Sequence, residues 1–159
     1  MIGLYHRELD GLSGHEAGRE LLRQACGDPL PEIRIAPRGK PYFADSPVQF
    51  SITHTRHHAF CALSDRPIGI DAEELDRIIN PRLAEKILSS SELERYHRAE
   101  NPDRALLALW VLKEAAAKCS GEGLRGYPNQ TDFDPADPRV MECSGCLVAV
   151  VEQEEVNAV

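Results

Sequence analysis

Four side chains in this sequence combine into a set that can hold a hard cation beside phosphate. Asp71 and Glu73 stand two apart in Gly69-Ile70-Asp71-Ala72-Glu73-Glu74. Side chains two apart leave the same face of a strand, and two carboxylates on one face repel unless a cation lies between them. Glu114 and Lys118 lie in WVLKEAAAK, residues 110–118. At ~3.6 residues per turn, Trp110, Glu114 and Lys118 fall along one helix face, and Lys113 sits about 100° around the axis. Three carboxylates form an oxygen-only set that suits Mg²⁺, which keeps waters and shares its shell with substrate phosphates. Lys113 and Lys118 would then face phosphate oxygens as point-charge donors. Glu114 and Lys118 also have the spacing of an ordinary surface ion pair. It is the pair of strand carboxylates that turns the reading toward a metal and phosphate site.

Other polar groups fit around that set. Phe50-Ser51-Ile52-Thr53-His54-Thr55 ends a strand with hydroxyl, imidazole and hydroxyl, all able to donate to phosphate oxygens. Gly39-Lys40-Pro41 puts a lysine in a turn. A histidine at a strand end is as readily structural, and His54, His57 and His58 match no standard zinc spacing. The cysteines are Cys26, Cys61, Cys119, Cys143 and Cys146. Their odd number suggests reduced thiols. Cys143-Ser144-Gly145-Cys146 has CxxC spacing without a second such pair, and reads as two thiols in a β-hairpin.

The elements that must position these groups are legible from pattern. Met1–Tyr5 reads as a short strand. Ser13 and Glu16 form an S-x-x-E capping box, so His15–Ala25 reads as a helix, stopped by Gly27-Asp28-Pro29. Glu32–Ala36 reads as a strand, and Pro37–Pro47, rich in turn formers, as an exposed loop. Val48–Thr53 alternates with the period of a half-buried strand, followed by strands at His58–Ser64 and Pro67–Glu73. Pro81–Leu88 and Ser91–Arg98 read as helices, the second with Ser91 and Glu94 as its capping box. Asn101-Pro102 suits an N-cap with proline at N1, and the long helix it starts ends near Gly121. Two strands follow between Thr131 and Glu152. Mixed helices and adjacent strands make the class α+β.

Composition narrows the partners. The 159 residues suit one compact unit, and the net charge of -8 lacks the basic footprint of a nucleic-acid binder or an attraction for anionic membranes. No window holds the ~20 apolar residues of a membrane-spanning helix, and MIGLYHRELD has no signal-peptide pattern. The expected location is cytoplasmic.

With these pieces in order, the chain resembles the 4'-phosphopantetheinyl transferases of the larger, surfactin-synthetase-activating type. The residues that carry the resemblance are GKPYF (39–43), FSITHT (50–55), PIGIDAEE (67–74) and WVLKEAAAKCSGEGL (110–124). It implies transfer of the 4'-phosphopantetheine arm from coenzyme A, the co-substrate, to a serine of an acyl or peptidyl carrier protein. Adenosine 3',5'-bisphosphate is released. It implies a pseudo-dimer of two similar α+β halves, here 1–66, shortened, and 67–159 with the metal motifs, acting as a monomer. By position, Asp71, Glu73 and Glu114 would hold Mg²⁺. Lys40, Thr53, His54, Lys113 and Lys118 would contact coenzyme A. Glu114, with Lys118 beside it, would serve the chemistry as proton acceptor, directly or through a water on the metal. Three departures stand out: the short N-terminal half, threonines flanking His54 where serines are commoner, and Glu74 where a basic residue is common. Arg34 and Arg38 are candidates to replace missing phosphate contacts. Arg82, Lys86, Arg95 and Arg98 form either a docking patch for an acidic carrier or a solvated face. The different-class alternatives are a non-catalytic relative that binds coenzyme A or a carrier protein, and an unrelated Mg²⁺ phosphohydrolase.

Overall fold

Alternation of side chains through the central strands builds a stack of four layers. The computed structural model describes residues 1–123 and 131–155. In chain order its elements are β1 (Gly3–Glu8), α1 (Gly14–Cys26), β2 (Ile33–Ile35), β3 (Pro41–Phe43), β4 (Gln49–His54), β5 (His58–Ser64), β6 (Ile68–Glu74), α2 (Pro81–Ile87), α3 (Ser90–Arg98), α4 (Pro102–Ser120), β7 (Val140–Cys143) and β8 (Cys146–Glu152). Two antiparallel three-stranded sheets run β1-β5-β4 and β6-β8-β7, beside a small β2-β3 ribbon. Each larger sheet follows one connectivity: a strand, helical structure, then a hairpin whose second strand returns to pair with the first.

The two sheets face each other. Phe60 and Ala62 of β5 pack on Ile68, Ile70 and Ala72 of β6 and Val148 and Val150 of β8. The alternate residues Ala59 and Cys61 point the other way, onto Leu21 and Leu22 of α1. Leu147, Ala149 and Val151 likewise turn to α4, where Leu109, Leu112 and Ala115 are buried. Central strands β5 and β8 are therefore apolar on both faces, which is why their sequences read as nearly continuous apolar runs.

The helix ends follow the expected chemistry, with one correction. Ser13 with Glu16 caps α1, Asn101 with Pro102 starts α4, and Gly121 ends it in the left-handed conformation. The capping box of α3 is Ser89 with Glu92, not Ser91 with Glu94. Glu92 is fully buried, and Lys113 of α4 pairs with it at 2.7 Å. That pairing selects the register. The segment 37–47 is not simply an exposed loop: β3 crosses it, and Phe43 is buried against Phe50. Leu124, the last residue of the WVLKEAAAKCSGEGL motif, lies outside the described residues, as do 156–159.

Candidate active site

The strand β6 lies at the edge of its sheet, and side chains rather than another strand satisfy its free edge. Ser51 Oγ of β4 accepts from the Ile70 amide at 3.1 Å. Lys118 Nζ donates to the Ile70 carbonyl at 3.0 Å. Lys40 Nζ donates to the Ile68 carbonyl at 3.2 Å and to the Cys119 carbonyl at 3.1 Å. An unpaired strand edge is costly to bury, so these contacts fix where the first sheet meets the second. They also gather two lysines at the seam.

On the α4 face of β6 stand Gly69, Asp71 and Glu73. A Cβ on Gly69 would lie 1.9 Å from the Ala115 carbonyl oxygen, so only glycine lets α4 approach this closely. The close approach brings the helix side chains onto the strand carboxylates. Lys118 leans back toward the helix start and reaches Asp71 Oδ1 at 3.1 Å. Thr53 Oγ1 donates to the same oxygen at 3.3 Å. Trp110 Nε1 donates to Glu73 Oε1 at 3.4 Å, and Arg77 forms an ion pair with Glu73. Glu114 sits one turn from both Trp110 and Lys118.

The electrostatics suit a cation. Asp71 is buried, and its Oδ2 has no hydrogen-bond partner among the described residues. Burial raises the Asp71 carboxyl above its ordinary range, against the pull of Lys118. Glu114 is raised too, by burial first and then by the Asp71 and Glu73 charges. An orphaned buried oxygen and mutually repelling carboxylates are what a hard divalent ion would relieve. Asp71, Glu73 and Glu114 are the residues that could hold Mg²⁺; their ligand atoms do not all lie within 4.8 Å of one another here, and Glu73 is turned to Arg77.

A cavity of about 230 Å³ opens beside Lys118, between the 38–41 turn, β4 and the end of α4. Arg38, Lys40 and Lys118 line it with Ser51 and Phe50. This wall is cationic in a chain of net charge -8.

Not every expected residue lines this cavity. Lys113 is the correction: 1% exposed, it is committed to Glu92 at 2.7 Å and donates to Thr131 at 2.6 Å. Its rotation around the helix carries it to α3 rather than to the phosphate-facing side. His54 is exposed at the end of β4, against Gly14 of α1. A Cβ on Gly14 would meet its ring at 2.2 Å, and its one hydrogen bond among the described residues is with the Thr55 carbonyl. Of the basic docking candidates, Arg95 is bound to Asp132 and Arg98 to Glu94. Arg34 is paired with Glu32, whereas Arg38 reaches the Glu122 carbonyl at the cavity. Sequence reasoning missed Arg77 and Gly14, neither of which carries a local signal.

Comparison with known proteins identifies the family of the chain. Residues 67–150, from β6 through β8, match the family model described as the 4'-phosphopantetheinyl transferase superfamily. The chain is 33% identical to 4'-phosphopantetheinyl transferase gsp of Aneurinibacillus migulanus over 88 residues, 54% of this chain and 36% of that protein. It is 34% identical to 4'-phosphopantetheinyl transferase AcpT of Escherichia coli O157:H7, covering 66% of this chain and 56% of the relative. It is 42% identical to the holo-[acyl-carrier-protein] synthase of Photorhabdus laumondii over 96 residues, 54% of this chain and 76% of that one. The chain spans about half the length, or less, of the larger relatives. The matched region holds Asp71, Glu73, Glu114 and Lys118 together with the strand and helix that bring them face to face, and by that match the chain belongs to the 4'-phosphopantetheinyl transferase superfamily.

Proposed function

We propose that the protein moves the 4'-phosphopantetheine arm of coenzyme A onto a serine of an acyl or peptidyl carrier protein, with Mg²⁺ as cofactor and adenosine 3',5'-bisphosphate as product. The observation that carries this reading is the buried Asp71 Oδ2, without a hydrogen-bond partner among the described residues, beside a cation-lined cavity. Lys118, Lys40 and Arg38 bind the phosphates of coenzyme A there, and the Ser51 and Thr53 hydroxyls add donors. His54 contributes a further contact from the end of β4. Asp71, Glu73 and Glu114 hold Mg²⁺, which when bound neutralises charge on the pyrophosphate. The serine oxygen forms its bond to phosphorus as the pyrophosphate P–O bond breaks, and the hydroxyl proton passes to Glu114. A carboxylate raised by burial is a stronger base than a solvated one. Lys118 shields the leaving phosphate, and alignment of the two substrates supplies much of the remaining barrier reduction.

The equal connectivity of the two sheets supports a pseudo-dimer of halves 1–66 and 67–159; we take the single chain to work as a monomer in the cytoplasm. No helix among the described residues is long and apolar enough to cross a membrane. The test is the intact mass of apo carrier proteins incubated with this protein, coenzyme A and Mg²⁺. A gain of one phosphopantetheine, abolished by chelator, is expected. No gain across fatty-acid and peptide-synthesis carriers, with coenzyme A still bound in a titration, would mean a binding-only relative.

A further inference from the structure

The two faces of β6 part at its end. Glu73 turns to α4, while Glu74, next in the chain, turns to the seam where β5 and β8 begin. There His58, Glu74 and Cys146 come together, with one ligand atom from each lying within 4.8 Å of the other two. Cys146 Sγ is 3.7 Å from Glu74 Oε2 and 4.0 Å from His58 Nδ1. Zinc bonds of ~2.3 Å to sulfur and ~2.0 Å to nitrogen or oxygen, at tetrahedral angles, set ligand edges of about 3.5 Å. The two edges from Cys146 lie within about half an ångström of that, and the edge between His58 and Glu74 is at most 4.8 Å. Glu74 Oε1 is buried without a hydrogen-bond partner among the described residues. His58 also lines an open depression with Glu8, Asp10 and His57, and Glu8 stands directly opposite it in the strand register. That depression, which Arg56 also lines, opens His58 to solvent.

We propose that His58, Glu74 and Cys146 form a second metal site, for Zn²⁺, with its fourth position open to water. One nitrogen, one oxygen and one sulfur are a borderline-soft set, unlike the all-oxygen set of Asp71, Glu73 and Glu114. The two sites thus select different ions by ligand chemistry. Zinc loading displaces the thiol proton of Cys146. It also clips β5 of the first sheet to β6 and β8 of the second, so its role is to hold the halves together. The site stands independently of the transfer reaction.

The experiment is a Co²⁺ titration of the chelator-stripped full chain in excess Mg²⁺, read by thiolate-to-cobalt absorption in the near ultraviolet. One equivalent per chain is expected, displaced by Zn²⁺. Cys146→Ser should abolish the band, and His58→Ala and Glu74→Gln should each weaken binding at least tenfold. Cys143→Ser should leave it in place. No thiolate band in the wild type, a band that survives Cys146→Ser, or one that requires Cys143 would overturn the assignment. Circular dichroism reports whether each variant is folded. Should Cys146→Ser not fold, His58→Ala decides: unchanged cobalt affinity there would overturn the site.

Discussion

Strands β1 and β6 occupy the same place in their sheets and do opposite work. Each opens its sheet and pairs with the last strand of the following hairpin, Glu8 facing His58 and Glu74 facing Cys146. Counted from those pairs, Gly3 corresponds to Gly69, Tyr5 to Asp71 and Arg7 to Glu73. Tyr5 packs with Leu21 and Leu22 under α1, an ordinary apolar contact between helix and sheet. Asp71, at the matching position, is buried with one oxygen unpartnered among the described residues. One connectivity thus serves once as a packed core and once as a site whose charges resist burial. We place the function where the packing rule is broken.

The comparison breaks most sharply at Glu114. Glu114→Gln should lower carrier modification by about 10³-fold or more, the scale of losing a group that acts only in the transition state. The same change should stabilise the fold at neutral pH. Burial and the Asp71 charge hold the Glu114 carboxyl above its ordinary range. The folded chain binds that proton more tightly than the unfolded one, so stability falls as pH rises through the elevated value. Thermal melts should find variant and wild type alike near ~pH 4 and the variant higher by about pH 7.5. A variant less stable at neutral pH would contradict the electrostatic reading.

Lys113 tests which charges belong to the site. Its partner Glu92 also accepts from the Ser89 amide at 2.8 Å and the Phe133 amide at 2.8 Å. Lys113→Ala should cost about 3–5 kcal/mol of stability by leaving a buried carboxylate without its counter-ion. Denaturant unfolding reads this loss, while the Michaelis constant for coenzyme A in the remaining folded enzyme should stay unchanged. Leu21→Ala, in the apolar contact that β1 shares with α1, should cost about 2–4 kcal/mol by opening a cavity. Turnover per folded molecule should be preserved, which separates the two helix-on-sheet layers in one experiment. The smallest effect is expected at His54. His54→Ala should raise the Michaelis constant for coenzyme A about tenfold, about 1.4 kcal/mol, with saturated turnover nearly intact.

Much of this architecture was legible because it is local. Caps at Ser13, Asn101 and Gly121, and alternation in β4, are written within a few residues of one another. The spacing of Trp110, Glu114 and Lys118 put them on one face, and contacts with Glu73 and Asp71 bear that out. The failures come from information the sequence spreads out. Both Ser89–Glu92 and Ser91–Glu94 satisfy the capping pattern, and the distant partners of Glu92, Lys113 and the Phe133 amide, distinguish them. Helical spacing placed Lys113 off the Glu114 face but not against α3. The turn formers around Pro41–Phe43 hid a short strand whose Phe43 is buried by Phe50. His58 and Cys146 are separated by 88 residues and meet only because the two sheets stack.

The central claim is that the β6 and α4 carboxylates bind a hard divalent ion. The most direct measurement is a Mn²⁺ titration followed by electron paramagnetic resonance, with coenzyme A present, for the wild type, Asp71→Asn and Cys146→Ser. One bound ion in the wild type and in Cys146→Ser, weakened at least tenfold in Asp71→Asn, is the predicted result. Equal Mn²⁺ affinity in the wild type and Asp71→Asn would contradict the account.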